Sequence, residues 1–275
     1  MERALSGDDP IIIRSPENPT VKFIHSLRLR KKREAERVFL VEGQLLVDDA
    51  LSLGVQPRYV ILREDQTVLI EELNRRAISE LAIKVFDQRL FDSLAETVTP
   101  QGVMAVVPIP MPKIPKVELP LVVVADQIRD PGNLGTLLRV SVGAGADAVV
   151  LREGVVDPYN PKVVRAALGA HFRIPILGLN ASTRAWVIAQ CRTRVLADAG
   201  GDVDYDRVDW STPAALLLGP ETSGFSKEIL ELATVRSRIP VQNSLESLNV
   251  AVAGAVMLFE ASRQRRRSNQ GSRHR

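Results

Sequence analysis

The order of apolar segments in the second half of the chain is the feature that most restricts its fold. Six apolar or β-branched runs, which we interpret as strands, are separated by segments with helical spacing. The runs do not alternate between apolar and polar residues, which is typical of parallel strands buried on both faces of a sheet. The strand candidates are 121–126, 147–152, 173–177, 193–198, 214–219 and 235–240, and the helix candidates are 133–144, 161–170, 182–191, 226–233 and 248–263. We therefore predict an α/β domain with its ligand site at the carboxyl ends of the strands.

A proline-rich segment divides the chain in two. PIPMPKIPKVELP (108–120) has five prolines in thirteen residues, a density that favours an extended, semi-rigid linker. Before it, the pattern predicts helices at 19–28, 44–54 and 67–81 and strands at 38–43, 58–63, 82–86 and 102–107. We predict a small α/β domain at 1–107, the linker at 108–120, the parallel-sheet domain at 121–264 and a basic, disordered tail at 265–275.

Positive charge is concentrated in two places although the net charge is only +3. RLRKKREAER (28–37) and RQRRRSNQGSRHR (263–275) carry the excess. Such segments suit a polyanion such as nucleic acid, while charge runs are also commonly solvated and disordered.

Several classes of protein are disfavoured by simple counts. Cys191 is the only cysteine, so an intramolecular disulfide is impossible, and the three histidines are far apart without metal-ligand spacing. We expect no metal site. The first ten residues lack the apolar core of a signal peptide, and the apolar run 248–259 is too short to span a bilayer. We expect no membrane association and a location in the cytoplasm or an equivalent compartment.

Three loops that follow strand candidates combine glycine with polar groups. They are DQIRDPGNLGTLLR (126–139), LLLGPETSGFSKE (216–228) and RIPVQNSLESLNVAVAGAV (238–256). In the first, Asn133 is a plausible N-cap, Gly135 permits close approach, and Arg139 leans back toward the helix start. The alternative for Arg139 is a surface ion pair.

The other two loops carry one acidic and two capping candidates. Glu221 can accept hydrogen bonds from a ligand, or simply favour a helix dipole as a first-turn glutamate. Ser247 or Asn249 can cap the last helix. GAGADA (143–148) matches a dinucleotide-binding pattern, but it precedes a strand instead of following one, so it predicts a tight helix-to-strand turn.

Taken in order, these loops resemble the motifs of the SpoU (TrmH-like) family of RNA ribose 2′-O-methyltransferases, within the SPOUT class. The first motif, N-x-G-x-x-x-R, matches Asn133, Gly135 and Arg139. The second, a strand ending in G-x-E with a later glycine, matches Gly219, Glu221 and Gly224. The third matches Ile239, Pro240, Ser247, Leu248, Asn249, Val250, Val252 and Ala253. Two residues depart from the family pattern: Pro220 stands where the second motif commonly has asparagine, and Asn243 where the third commonly has glycine.

The resemblance implies a fold and a cofactor. It implies a deep trefoil knot at the end of the second domain, and a first domain similar to RNA-binding ribosomal proteins. S-adenosylmethionine would be bound in the knotted loops, with its adenine near Gly219, Ile239 and Leu248. The implied cofactor-binding residues are Leu218, Gly219, Glu221, Ile239, Ser247, Leu248 and Asn249. The implied partners are RNA, with ribosomal RNA favoured over tRNA, and a second copy of the chain packed through the last helix and the first-motif helix.

The resemblance also implies roles for four catalytic candidates. Arg139 corresponds to the arginine proposed as base in this family, which conflicts with arginine being effectively always protonated. It would instead bind the neighbouring phosphate and orient the hydroxyl, which leaves a deprotonated Arg139, the phosphate or water as proton acceptor. Asn133 and Asn249 would position the ribose or the first-motif loop. Glu221 would hold the knot loops or Arg139. The expected RNA-binding residues are Arg28, Arg30, Lys31, Lys32, Arg33 and Arg129.

Two rival interpretations belong to other classes. A non-catalytic RNA-binding protein of the same fold would explain Pro220 and Asn243. A nicotinamide-dependent oxidoreductase would explain the parallel sheet, although GAGADA is misplaced for it. A third alternative keeps the enzyme and makes tRNA the substrate.

Overall fold

The computed structural model describes residues 11–66, 68–69, 82–220, 224–243 and 246–272. The chain forms two compact units, Met1–Ile109 and Pro110–Arg275. The division lies two residues beyond the predicted start of the linker. Pro108 ends a strand, and the buried Ile109 donates its backbone N–H to the Arg37 carbonyl over 2.8 Å. Hydrogen bonding therefore assigns the first two predicted linker residues to the first unit.

The first unit is a mixed sheet with helices. Its strands are β1 Ile12–Ile13, β2 Val38–Glu42, β3 Tyr59–Arg63, β4 Ile83–Phe86 and β5 Val103–Pro108, in the order β1-β4-β3-β5-β2. Its described helices are α1 Pro19–Ser26, α2 Arg30–Glu36, α3 Gln44–Ser52 and α4 Gln88–Leu94. The four predicted strands are confirmed, and the two-residue β1 was missed. The predicted helix 67–81 lies almost entirely outside the described residues.

The second unit is a seven-stranded sheet in which every pairing is parallel. Its strands are β6 Leu121–Ala125, β7 Ala148–Leu151, β8 Ile176–Gly178, β9 Thr193–Ala197, β10 Val203–Asp204, β11 Ala214–Leu218 and β12 Val235–Arg238. The order is β10-β12-β9-β11-β6-β7-β8. Its helices are α5 Pro131–Ala144, α6 Pro161–Ala167, α7 Ala181–Gln190, α8 Lys227–Leu232 and α9 Val250–Ser272. The predicted α/β architecture is confirmed, and the short β10 was missed.

The parallel sheet is buried on both faces, as its apolar strands predict. All five residues of β6 are buried. Leu121, Val123 and Ala125 pack into one cluster with Leu137 of α5 and Leu258 of α9. The alternate residues of β6 pack into a second cluster with α7 and α8. Because alternate side chains of a strand point to opposite faces of the sheet, β6 contributes to both hydrophobic cores of this unit.

The end of α9 differs from the predicted disordered tail. The helix continues to Ser272, and the Arg265 guanidinium donates to four backbone carbonyls at 2.8–2.9 Å, those of Leu119, Pro120, Trp210 and Thr212. Burial lowers the pKa of Arg265. Residues 265–272 therefore continue the last helix, and Arg265 of the basic run satisfies carbonyls at the amino edge of the sheet.

Candidate active site

The three glycine-containing loops all leave the carboxyl edge of the parallel sheet. Strands β6 and β11 are direct neighbours, and Ala125 at the end of β6 pairs with Leu218 at the end of β11. The Asp126 N–H donates to the Leu218 carbonyl over 2.8 Å. The first and second loops therefore start side by side. The third loop starts from β12, which is separated from β11 by β9.

A side-chain hydrogen bond joins the third loop to the first. Asn249 donates from Nδ2 to Asn133 Oδ1 over 2.9 Å. Asn249 Oδ1 accepts from the backbone N–H groups of Ala251 at 3.0 Å and Val252 at 3.3 Å, so Asn249 caps α9. Because the oxygen of Asn249 is committed to the cap, its amide nitrogen faces Asn133. This directs the Asn133 Nδ2 donor away from Asn249.

The cap of α5 corrects the prediction for Asn133. Asp130 is the N-cap, with Oδ1 accepting from the Asn133 N–H over 2.8 Å, and Pro131 follows in the first turn. Asn133 lies within that turn, which leaves its side chain available to Asn249.

Gly135 permits close approach, as predicted, and the group that approaches is helix α6. A Cβ at Gly135 would lie 2.5 Å from the Ala166 Cβ and 2.7 Å from the Val163 carbonyl oxygen of α6. Glycine is therefore needed here because a larger residue would prevent α5 and α6 from packing closely in the core.

Arg139 lies on the exposed stripe of α5. Gly132, Thr136, Arg139 and Gly143 recur at helical spacing and are all exposed. Within the described part of the chain, Arg139 forms no hydrogen bond or ion pair. The alternative of a surface ion pair is therefore not seen among these residues, and the guanidinium remains available to a ligand or partner.

A cavity of about 610 Å³ lies beside these loops. Five of the predicted cofactor-binding residues line it, namely Leu218, Gly219, Ile239, Ser247 and Leu248. Asn249 is not part of the wall, but its neighbours Leu248 and Val250 are, so the Asn133–Asn249 bond lies at the cavity's border. Glu221 lies outside the described residues.

Gly219 shapes the wall of this cavity. A Cβ at Gly219 would lie 2.3 Å from Cε1 of the Phe225 ring, and Phe225 itself lines the cavity. Glycine therefore lets the ring fold back over the end of β11. Sequence reasoning missed Phe225 and also Met257 of α9, since an apolar wall residue has no chemical signature of its own.

Sequence reasoning also missed an ion pair in the cavity wall. Both Nε and Nη2 of Arg236 donate to Asp198 Oδ2, at 3.1 and 2.6 Å, and the Gly200 N–H donates to Oδ1 over 2.9 Å. Burial opposes ionisation of Asp198, but these hydrogen bonds outweigh it and hold the pKa of Asp198 below its usual value. The signal was present, because Asp198 directly follows a strand, as Asp126 does.

The two departures from the third and second motifs have different consequences. Asn243 has φ +57°, in the left-handed region that glycine adopts readily and asparagine tolerates better than most residues. Asparagine therefore preserves the backbone conformation. Pro220 lines the cavity and contributes no N–H donor there.

Most of the predicted RNA-binding cations of the first unit are engaged within that unit. Arg30 pairs with Glu34 at 2.7 Å and Lys32 with Glu36 at 2.9 Å. Arg33 is 3% exposed and donates to the carbonyls of Leu27 and Arg28, so its prediction as an RNA contact is wrong. Arg28 pairs with Glu96 at 3.2 Å.

Two predicted cations are more available. Lys31 and Arg129 are both exposed, and neither forms an ion pair within the part of the chain that the structure describes. The described residues also contain no cluster of three or more potential metal ligands and no helix long and apolar enough to cross a membrane.

Fold and site together define a parallel α/β domain with a ligand cavity at its carboxyl edge, joined to a small α/β domain. The model of the SpoU rRNA methylase family matches residues 120–259, and that of the MRM3-like substrate-binding domain matches residues 18–105. The chain belongs to the SpoU rRNA methylase family.

Individual relatives agree with this assignment. The 23S rRNA (guanosine(2553)-2′-O)-methyltransferase RlmP of Bacillus subtilis is 33% identical, over 90% of this chain and 97% of that protein. The mitochondrial rRNA methyltransferase 3 of Mus musculus is 34% identical, over 87% of this chain and 71% of that protein. Among solved structures, an AdoMet-bound rRNA methyltransferase from Sinorhizobium meliloti has a TM-score of 0.82 at 32% identity, covering 92% of this chain and 97% of that one.

Proposed function

We propose that this chain transfers a methyl group from S-adenosylmethionine to a ribose 2′-hydroxyl of ribosomal RNA. The cavity at the carboxyl edge carries the proposal, because five of the predicted cofactor-binding residues line it and the Asn133–Asn249 bond borders it. The AdoMet-bound relative and the ribosomal RNA specificity in the names of the relatives support the same activity.

The residues present fit S-adenosylmethionine. The cavity volume of about 610 Å³ is in the usual range for small-molecule sites. Apolar side chains such as Leu218, Ile239 and Leu248 line part of it, and Asp198, Arg236 and Glu246 supply charges of both signs. Such a wall suits a ligand that combines an adenine, a sulfonium and an amino-acid group. When bound, this cofactor supplies a methyl carbon made electrophilic by the attached sulfonium.

The chain's own contribution to this reaction is positioning, since an effectively unimolecular geometry replaces a bimolecular encounter. Asn133 presents its Nδ2 donor toward the acceptor ribose, held in that orientation by Asn249. Arg139 binds the phosphate beside the target ribose, since guanidinium groups match phosphate oxygens in charge and geometry. Glu221 remains assigned to the knot loops or to Arg139.

The active form is a homodimer with a contribution from both chains. Val252 is 48% exposed and Phe259 of the same helix is 49% exposed. The Phe259 ring lies 3.7 Å from where a Cβ at Gly143 would be, on the stripe that carries Arg139. The exposed apolar side chains of α9, beside the exposed stripe of α5, are suited to a second copy, and the exposed Arg139 would then face the partner's acceptor site.

The finer assignments follow the family. The loops after β11 and β12 form the trefoil knot, consistent with the return of Asn249 to the first loop. Residues 1–107 bind the RNA substrate and 108–120 link them to the methyltransferase domain, with Lys31 and Arg129 among the available cations. The enzyme works in the cytoplasm or an equivalent reducing compartment, where the buried Cys191 stays a free thiol.

The test is methyl transfer by the purified chain. We expect it to bind S-adenosylmethionine by calorimetry and to transfer labelled methyl to unmodified ribosomal RNA in preference to tRNA. Mapping of 2′-O-methyl positions then identifies the nucleotide. Preferred methylation of tRNA would overturn the substrate, and RNA binding without cofactor binding would indicate the non-catalytic alternative.

A matched pair of glycine variants ties the activity to the cavity. Gly219→Ala places a Cβ 2.3 Å from the Phe225 ring and should weaken cofactor binding by tenfold or more, on the order of 1.4 kcal/mol. Gly178→Ala is the control, because Gly178 ends β8 at the same edge and its Cβ would meet no described heavy atom within 4 Å. Equal cofactor affinity in the two variants would show that S-adenosylmethionine does not bind in this cavity.

A further inference from the structure

Asp126 is a fully buried carboxylate that the proposed reaction does not use directly. It follows β6 immediately and is 0% exposed. A buried charge is costly unless it is paired and hydrogen-bonded. Asp126 meets this requirement, because its carboxylate accepts hydrogen bonds from Ser226 and Arg152, which lie on different loops.

The bonds of Asp126 bracket the second motif loop. Its backbone N–H donates to the Leu218 carbonyl over 2.8 Å, at the start of the loop that follows β11. Its Oδ2 accepts from the Ser226 N–H over 2.9 Å, at the end of the same loop. One residue therefore holds both ends of the segment that contains Gly219, Gly224 and Phe225, all of which line the cavity.

A second connection extends from the same carboxylate. Arg152, which follows β7, donates from Nη1 to Asp126 Oδ1 over 3.3 Å and from Nε to Glu228 Oε2 over 3.1 Å. Glu228 lies in the first turn of α8, directly after the loop. Arg152 thus links Asp126 to Glu228, which gives a second connection between Asp126 and the end of the loop.

Asp126 also begins the first motif loop. The next residue, Gln127, has φ +52°, a left-handed conformation that is uncommon outside glycine. Residues 127–130 lead directly into α5, which carries Asn133 and Arg139. Asp126 is therefore hydrogen-bonded to residues beside the cavity wall, and it is also the first residue of the first motif loop.

We propose that Asp126 is a positioning residue that holds Leu218 and Ser226, on either side of the second motif loop, in register with the first motif loop, and so sets the shape of the cofactor cavity. This rests on the proposed function. Asp126 contacts neither substrate nor cofactor in this role. It acts through Ser226 and Arg152 on the Phe225 wall.

The experiment compares Asp126→Asn with Asp147→Asn in the full chain. Asp147 is the matched control, because its Oδ2 accepts from the Leu121 N–H over 2.8 Å at the opposite end of the same strand. Asparagine at 126 puts an amide nitrogen against either the Ser226 N–H or Arg152. We expect the dissociation constant of S-adenosylmethionine to rise about tenfold in Asp126→Asn, with RNA affinity unchanged and the rate largely restored at saturating cofactor. Asp147→Asn should lower Tm and leave cofactor affinity unchanged.

The outcomes separate this proposal from the one on which it rests. If the wild-type chain binds no S-adenosylmethionine, the proposed function itself fails. If the wild type binds it and Asp126→Asn binds it equally well, only the positioning role is overturned. If Asp126→Asn does not fold, the proposal is tested with Glu228→Gln, which weakens the Arg152–Glu228 ion pair and leaves Asp126 in place. A two- to threefold rise in the dissociation constant, roughly 0.5 kcal/mol, supports the proposal, and an unchanged value overturns it.

Discussion

At the amino edge of the parallel sheet the Arg265 guanidinium donates to four backbone carbonyls, whereas at the carboxyl edge the chain leaves a cavity of about 610 Å³. Asp147 accepts from the Leu121 N–H at the amino edge. At the carboxyl edge, Asn133 and Arg139 keep donors that no described residue accepts. The carboxyl edge therefore keeps some donors available to ligands, although other polar groups there, such as Asp126 and Asp198, are engaged within the chain.

Three residues in the loops at the carboxyl edge have a left-handed backbone conformation. Gln127, Gly224 and Asn243 have φ values of +52°, +73° and +57°, and all three lie in the loops beyond the carboxyl ends of β6, β11 and β12. Left-handed residues other than glycine cost free energy and persist where the surroundings impose them. The comparison predicts that changes at the carboxyl edge alter activity at little cost in stability, and that changes at the amino edge do the reverse.

Arg139→Ala should have the largest effect on activity. Removing the guanidinium deletes the phosphate contact, and methyl transfer should fall by about 100-fold or more, as when a positioned donor is lost from other active sites. Thermal unfolding should be unchanged because Arg139 is exposed. The control is Arg192→Ala, an exposed arginine that precedes β9 at the amino edge. Equal activity of the two variants would contradict the assigned role.

Arg265→Met should have the largest effect on stability. It leaves four carbonyls without their donor, so the free energy of unfolding should fall by about 3 kcal/mol, measured by denaturant titration. The dissociation constant of S-adenosylmethionine should stay within twofold of the wild type, since the cavity lies at the other edge. Arg266→Met is the control, because Arg266 is exposed and bonds the Ser262 hydroxyl of its own helix. A large loss of cofactor affinity in Arg265→Met would break the comparison.

Asn249→Asp separates capping from orientation at one position. The aspartate oxygen still caps α9, so the free energy of unfolding should change by less than about 0.5 kcal/mol. The Nδ2 donor to Asn133 is lost and a carboxylate oxygen faces an amide oxygen, so Asn133 rotates and methyl transfer falls about tenfold, on the order of 1.4 kcal/mol. Asn249→Ala, which removes both functions, should lower stability as well. Unchanged activity in Asn249→Asp would leave Asn249 as a cap only.

The strands of the second unit were predictable because burial on both faces makes them continuous apolar runs, as Leu121–Ala125 illustrates. The same rule located the three loops at one edge. Some residues that line the cavity, such as Gly219 and Leu248, could be located because they belong to a motif. Pairings were not, because Asn249 and Asn133 are 116 positions apart and nothing local specifies their contact.

The errors have physical reasons of the same kind. Arg33 was predicted as an RNA contact because it belongs to a basic segment, yet it donates to the Leu27 and Arg28 carbonyls. Residues 265–272 were predicted as a disordered tail because charge runs usually are, yet Arg265 meets carbonyls from positions 119, 120, 210 and 212. In both cases a charged side chain finds acceptors that only the folded chain assembles.

Asn243→Gly should have the smallest effect, and it tests whether this departure from the family pattern matters. Glycine removes the cost of a left-handed side-chain-bearing residue but gives the unfolded chain more conformational freedom, and each effect is worth about 1 kcal/mol or less. The two oppose each other, so the free energy of unfolding should change by less than about 0.5 kcal/mol, and cofactor affinity should stay within twofold. Asn243→Ala cannot use this compensation and should lose about 1 kcal/mol. A tenfold gain in cofactor affinity for Asn243→Gly would show instead that asparagine at this position weakens the cofactor site.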